Sequence, residues 1–182
     1  MNSSPTITLR SLSESDFDAY FRQFSESIKQ SGEDNQALYS PYMRSHIFDR
    51  EELMAKFSAG LSTPLSEPDW TRIFGAFMEN ELCGHVQLDG YSIATSGHRT
   101  QLGLFVAQEY RRQRVGSNLM RHAIEWAKNQ PGLSWIDIGV FDGNVQALEL
   151  YKRLGFKETG IVKDRFRIDG QIIDDIQMSL HI

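Results

Sequence analysis

Cysteine is almost missing from this chain, with one residue, Cys83, among 182. A lone thiol closes no disulfide within the chain and builds no cysteine-rich zinc site, so the expected compartment is the reducing cytoplasm and Cys83 is expected in the core. Long apolar runs are lacking too. None reaches the ~20 residues that cross a bilayer. Met1 to Pro5 is polar rather than a basic-then-apolar export signal, so neither a membrane nor a secretory route is expected. Positive charge is in the minority, with 19 Lys and Arg against 24 Asp and Glu. That balance gives no general attraction to nucleic acid or anionic membranes, and any anion site must be local. The histidines and acids show no ligand-like spacing, so no metal is expected.

What is present reads as one α/β domain. Hydrophobic residues make up 40% and charged residues 24%, a globular balance at a length suited to a single core. Thr6 to Leu12 alternates as a strand. Ser13 then offers an N-cap, and Phe17, Tyr20, Phe21, Phe24 and Ile28 form the apolar stripe of a helix over Glu14 to Lys29. After a polar stretch, Ser31 to Met43, Asp49 caps a short helix through Phe57 that Gly60 is expected to stop, and Leu61 to Asp69 reads as a loop. Arg72 to Met78, Leu82 to Leu88 and Gln101 to Val106 read as an antiparallel meander, the first pair joined at Glu79-Asn80-Glu81. Val115, Leu119, Ala123 and Ala127 recur every fourth residue and predict a helix ending near Asn129, before Pro131-Gly132. Strand Trp135 to Val140, helix Val145 to Leu154 and two strands joined at Asp169-Gly170 complete the chain.

Two strand-to-helix junctions carry the chemistry. The first runs from Phe105 and Val106 through Arg111, Arg112, Gln113 and Arg114 to Val115, Gly116 and Ser117. A helix start leaves peptide N–H groups without partners at the positive end of the dipole, Gly116 lets a ligand approach the backbone, and the arginines add charge. Neither a Walker loop nor a dinucleotide fingerprint is present. Taken alone, the stretch is equally compatible with a solvated basic turn. In the second junction Asn144 precedes a helix whose stripe is Ala147, Leu148, Tyr151 and Leu154. Tyr151 therefore points inward, as a packed phenol or as a proton donor.

The arrangement Arg111-x-x-Arg114-x-Gly116 resembles the pyrophosphate-binding loop of the GNAT superfamily. Asn144 to Phe156 resembles that family's N-x-x-A-x-x-L-Y-x-x-x-G-F helix, in the same order and spacing. The resemblance covers roughly Arg99 to Leu180, and what it implies is specific. The fold would be GNAT-like, a mostly antiparallel mixed sheet of about seven strands with about four helices, and residues 1–182 would form one N-acetyltransferase domain. Acetyl-CoA would be the co-substrate, and the acceptor a small-molecule amine, amino acid or protein N-terminus. The backbone around Phe105 and Val106 would bind the pantetheine arm, Arg111 to Ser117 the pyrophosphate, Asn144 the cofactor, and Tyr151 would protonate the leaving thiolate.

Arg114 stands where the family usually has glycine, and an ordinary helical backbone with the side chain in solvent is expected there. The strand before the loop lacks the carboxylate that many relatives use as a base. His98, Glu79, Glu81, His85 and a water relay all stay open for that role. Asp174 and Asp175 could attract a cationic amine. A silent acyl-CoA-binding module and transfer of a larger acyl group are the alternatives, and a homodimer through the sheet edge or the C-terminal strand is compatible with the sequence.

Overall fold

Two tight turns set the register of much of the sheet. Glu79 and Asn80 take φ of 49° and 71°, the twist that two-residue hairpins need, and they join β2 (Thr71–Met78) to β3 (Glu81–Gly90). Asp169 and Gly170, at 48° and 81°, likewise join β6 (Lys157–Ile168) to β7 (Gln171–His181). The computed structural model describes residues 6–33 and 37–182. Met1 to Pro5, read above as a polar start, and residues 34–36 of the Ser31 to Met43 stretch lie outside the described residues.

With β1 (Thr8–Ser11), β4 (Arg99–Val106) and β5 (Trp135–Phe141), the strands form one seven-stranded sheet. Its order is β1-β2-β3-β4-β5-β7-β6, and β4 and β5 are its parallel neighbours. Four α-helices among the described residues cover it: α1 (Phe17–Gln30), α2 (Arg50–Ser62), α3 (Val115–Lys128) and α4 (Val145–Arg153). The predicted fold class and order of elements are those observed.

The larger core lies under α3 and α4. Val115, Leu119, Ala123 and Ala127, the stripe of every fourth residue, are sealed with Met120 against Val86, Leu88, Leu102 and Ile136. Truncating one such residue, Leu119→Ala, costs about 2–5 kcal/mol. On the opposite face Phe17, Tyr20 and Phe57 of α1 and α2 pack on Ile73, Phe77 and Leu82. Cys83 is fully buried.

Two predicted boundaries move. Glu14–Asp16 forms a 3-10 turn, and α1 proper starts at Phe17. The Asp16 carboxylate accepts the Ser13 N–H at 2.9 Å and pairs with Arg10 at 2.7 Å, which tightens that turn. Gly60 does not stop α2, which runs on to Ser62, so the loop expected from Leu61 begins later. A Cβ on Gly60 would stand 2.7 Å from Thr71 Oγ1, so glycine lets the helix close on β2. The Arg72 guanidinium then caps its end, donating to the carbonyls of Gly60 at 3.1 Å and Thr63 at 2.9 Å.

Candidate active site

β4 and β5 pair only through Arg99↔Trp135, Thr100↔Ile136 and Gln101↔Asp137, and then part. Their outer ladders continue: β4 stays on β3 as far as Val106↔Gly84, and β5 stays on β7 as far as Phe141↔Asp175. A wedge-shaped gap therefore opens within the sheet, at the C-terminal ends of two parallel strands, where α/β sheets take their ligands. The Ala107 N–H donates to the Cys83 carbonyl at 3.0 Å, toward β3. Peptide groups alternate sides along a strand, so Leu104 and Val106 turn theirs into the gap while Phe105 turns its own to β3. Arg111 closes this corner, with Nε donating to the Val106 carbonyl at 3.0 Å.

The loop above the gap is an anion nest. Arg112 and Arg114 have φ of 61° and 66°, and left-handed residues alternating with residues of negative φ curl successive N–H groups toward one point. The first backbone bond of α3 runs from Asn118 N–H to the Arg114 carbonyl at 3.0 Å. Among the described residues, the N–H groups of Arg112 through Ser117 have no acceptor. The Arg112 and Arg114 side chains stand exposed beside them. A Cβ on Gly116 would point at Val106 (3.4 Å), Leu104 (3.5 Å) and Leu150 of α4 (3.9 Å), into the space between β4 and α4. These groups fit a diphosphate with an extended arm running down the gap.

On the other bank, Asn144 caps α4, its Oδ1 accepting from Ala147 N–H at 3.3 Å. Tyr151 is 6% exposed and packs 5.9 Å, ring to ring, from Phe156. Burial raises its phenol above the ordinary range, so it stays protonated. Its hydroxyl makes no hydrogen bond to a described residue.

The face of the sheet turned to α1 and α2 is bare at the gap. Gly103 and Gly139 would be neighbours if the Gln101↔Asp137 register continued. A Cβ on Gly103 would meet nothing within 4 Å. Residues ahead of α2 border this opening: Tyr39 lies 6.3 Å from the Phe105 ring and accepts from Arg111 at 3.3 Å, and Leu38 packs with Phe141, Ile168 and Ile173. A polar cavity of about 430 Å³ follows along β5, β7 and β6, walled by Tyr91, Asp137, Gln177 and Ser179. In it Arg99 Nε donates to Asp137 at 2.8 Å, and the Tyr91 hydroxyl to the same carboxylate at 3.0 Å.

Comparison with known proteins decides the family. The sequence profile of the acetyltransferase (GNAT) family matches residues 32–156. The chain belongs to the GNAT family. It is 28% identical over 104 residues to the L-amino acid N-acetyltransferase AaaT of Escherichia coli K12, a stretch covering 57% of this chain and 64% of that protein. The curated relatives are thus matched over less than two thirds of their length. In fold it is similar to a GNAT-family acetyltransferase from Streptococcus pneumoniae (TM-score 0.80, 21% identity, covering 97% of this chain and 100% of that one). It is similar too to yncA from Salmonella typhimurium, whose structure holds its cofactor acetyl-CoA (TM-score 0.80, 16% identity, covering 97% and 94%).

In this GNAT chain the two predicted junctions come together across the gap, Arg111 to Ser117 on one bank and Asn144 with Tyr151 on the other. Three expectations change. Arg114 is left-handed rather than helical, because the nest demands the conformation that glycine adopts most easily. Phe105 gives its carbonyl to the β3 side, and Leu104, which the sequence reading passed over, joins Val106 at the gap. Gly116 matters for the space between β4 and α4 as well as for access to its own backbone.

The open candidates for a base separate. His98 is exposed in the loop ahead of β4, at the far end of the strand. Glu79 lies in the β2–β3 turn, and Glu81 accepts the Tyr110 hydroxyl at 2.8 Å, both on the β3 side of β4. His85 is buried, with Nδ1–H donating to Gln23 Oε1 at 2.7 Å while Gln23 Nε2 donates to the Leu82 carbonyl, and burial lowers its pKa to about 4. Among the described residues no group of three or more His, Cys, Asp or Glu is placed to hold a metal, and no helix is long and apolar enough to cross a membrane.

Proposed function

We propose that this GNAT protein transfers the acetyl group of acetyl-CoA directly to a primary amine, of a small molecule, an amino acid or a protein N-terminus. The observation that carries the reading is the run of six peptide N–H groups without acceptors, Arg112 through Ser117, set at the mouth of the parted strands. The nest receives the pyrophosphate, with Arg112 and Arg114 adding charge. The Leu104 and Val106 peptide groups hold the pantetheine arm as a neighbouring strand would, and Asn144 offers the amide nitrogen its cap leaves unused. When bound, acetyl-CoA supplies an acyl carbon joined to a good leaving group. Tyr151 holds its proton at neutral pH and delivers it to the departing sulfur. The parted strands hold amine and acyl group together, and proximity supplies much of the rate.

Residues 1–182 act as one catalytic domain in this reading, and the single buried thiol suits the cytoplasm. A homodimer would use the β6 edge, where Ile161 and Val162 are exposed.

Calorimetric titration with acetyl-CoA, desulfo-CoA and adenosine diphosphate tests the assignment without knowledge of the acceptor. Micromolar binding by all three, weakened by Gly116→Glu, is expected. No binding of acetyl-CoA by the folded protein overturns it.

A further inference from the structure

Among the described residues, Asp175 is the one carboxylate beside the gap whose surroundings do not account for it. It is 5% exposed. Its Oδ2 accepts from Gln177 Nε2 at 2.5 Å, while Oδ1 is buried with no hydrogen-bond partner among the described residues. A buried carboxylate oxygen left unpaired costs several kcal/mol, and such costs persist where function demands them. Its position is specific. Asp175 lies opposite Phe141 in the β5–β7 register, and its side chain leans over Gly139, where an added Cβ would meet Oδ1 at 2.7 Å and Oδ2 at 3.0 Å. Gly139 thus makes room for the carboxylate at the β5 bank of the gap, and Gly103 leaves the β4 bank open. The neighbouring Asp174 is differently employed: it pairs with Lys163 at 2.6 Å and accepts the Asp164 N–H at 2.9 Å.

We infer that Asp175 is the catalytic residue that binds the acceptor's ammonium group and takes its proton, so that the site selects cationic primary amines. The inference rests on the acetyl-transfer reading above. The ammonium enters over Gly103, where an added Cβ would meet nothing within 4 Å, donates to Oδ1, and leaves one proton on Asp175, which passes it to water. The freed lone pair forms the C–N bond as the C–S bond breaks. Tyr151 gives its proton to sulfur and regains one from the nitrogen, so that amide, thiol and one released proton balance. Burial raises the Asp175 carboxyl above its ordinary range, against the lowering charge of Arg165 and the Gln177 hydrogen bond, a direction that suits a proton acceptor. The polar cavity beginning at Gln177 gives the body of such an amine a place to lie.

The test compares wild type with Asp175→Asn, an isosteric change that keeps the Gln177 hydrogen bond. Three readouts are taken: the acetyl-CoA Kd, the melting temperature, and CoA release with two acceptors. One acceptor is a panel of primary alkylammonium compounds, amino acids included; the other is hydroxylamine, which is largely uncharged at neutral pH. The expected result is an acetyl-CoA Kd within about twofold, an unchanged or higher melting temperature, and a fall of about 100-fold in the ratio of alkylammonium to hydroxylamine turnover. An unchanged ratio overturns the inference, as does a wild type that acetylates hydroxylamine but no alkylammonium; in both cases the transferase reading stands. A wild type that binds no acetyl-CoA removes both. Should Asp175→Asn fail to fold, Asp175→Ser is read the same way, on the same ratio.

Discussion

The Nε of Arg111 donates to the Val106 carbonyl at 3.0 Å, joining the first arginine of the basic loop to the last residue of β4. The same guanidinium reaches the Tyr39 hydroxyl at 3.3 Å and lies 5.3 Å from the centre of its ring. One side chain therefore ties together the strand that lines the gap, the loop proposed to receive the diphosphate and the segment ahead of α2. Lysine reproduces its charge but not its planar fork. Arg111→Lys should weaken acetyl-CoA binding about tenfold, the order of one lost charge-assisted hydrogen bond, and calorimetry at constant salt measures it.

Arg114 offers a test of the nest itself. A left-handed backbone costs an L-residue roughly 1–2 kcal/mol, and glycine's extra freedom in the unfolded chain takes back about 0.5–1. Arg114→Gly should therefore leave stability unchanged or raise it by up to about 1.5 kcal/mol, whereas the β-branched Arg114→Val should lower it by about 1–2 kcal/mol. Urea denaturation separates the two. If both variants match wild type, the loop does not need a left-handed residue at that point.

Gly116 should tolerate a methyl group and nothing larger. The added Cβ would sit at ordinary contact distance, 3.4 Å from Val106 and 3.5 Å from Leu104, so Gly116→Ala should bind acetyl-CoA within a few-fold of wild type. Gly116→Glu extends into the space between β4 and α4 with the wrong charge, and binding should fall by more than 100-fold, the order of burying a carboxylate against an anion. Equal affinities for the two variants would place the arm of the co-substrate elsewhere.

Tyr151→Phe removes a hydroxyl that holds no hydrogen bond to the described residues, so stability and acetyl-CoA affinity should barely change. Turnover should drop by roughly 100-fold, the usual contribution of a positioned proton donor. Because burial raises the phenol's pKa above its ordinary range, the wild-type rate should show no alkaline decline from this group near pH 10. Single-turnover CoA release separates a chemical defect from slow product departure.

His85 gives the fold an acid limit. Its pKa falls from 6.5 to about 4 in the folded state, so the unfolded chain binds the proton more readily. The associated stability is complete above pH 6.5 and is lost as pH falls from there to about 4, by about 3 kcal/mol in total. His85→Gln should flatten that part of the profile, read as the difference in unfolding free energy between pH 7 and pH 4.5.

The parts of the site that local patterning announces were legible before the structure. The stripe of α4 turned Tyr151 inward, the Asn144 cap fixed the start of that helix, and a helix start at Val115 after three crowded arginines marked an anion seat. Arg114 was not legible as a left-handed residue, because arginine carries no signal for positive φ; the alternation of conformations belongs to the nest as a whole. Gly60 was misread because glycine has two meanings, helix stop and close approach, and only the position of Thr71 tells them apart. Asp174 and Asp175 are identical letters in one strand, and the pairing of β7 with its neighbours is what leaves one half-buried and seals the other. Leu38 and Tyr39 border the opening through contacts with residues more than 60 positions away, which no periodicity encodes.

The three-pair contact between β4 and β5 makes this a protein one strand short. Each half of the sheet is laddered within itself, yet among the described residues the ladder between the halves is only the three pairs from Arg99↔Trp135 to Gln101↔Asp137. A bound pantetheine arm would stand in as a removable strand, engaging the Leu104 and Val106 peptide groups, which have no neighbouring strand across the gap. Loading the co-substrate would then do structural work as well as chemical work: amide exchange at those two residues should slow, and the halves should melt together rather than in sequence. Each turnover would finish the sheet and then leave it unfinished again.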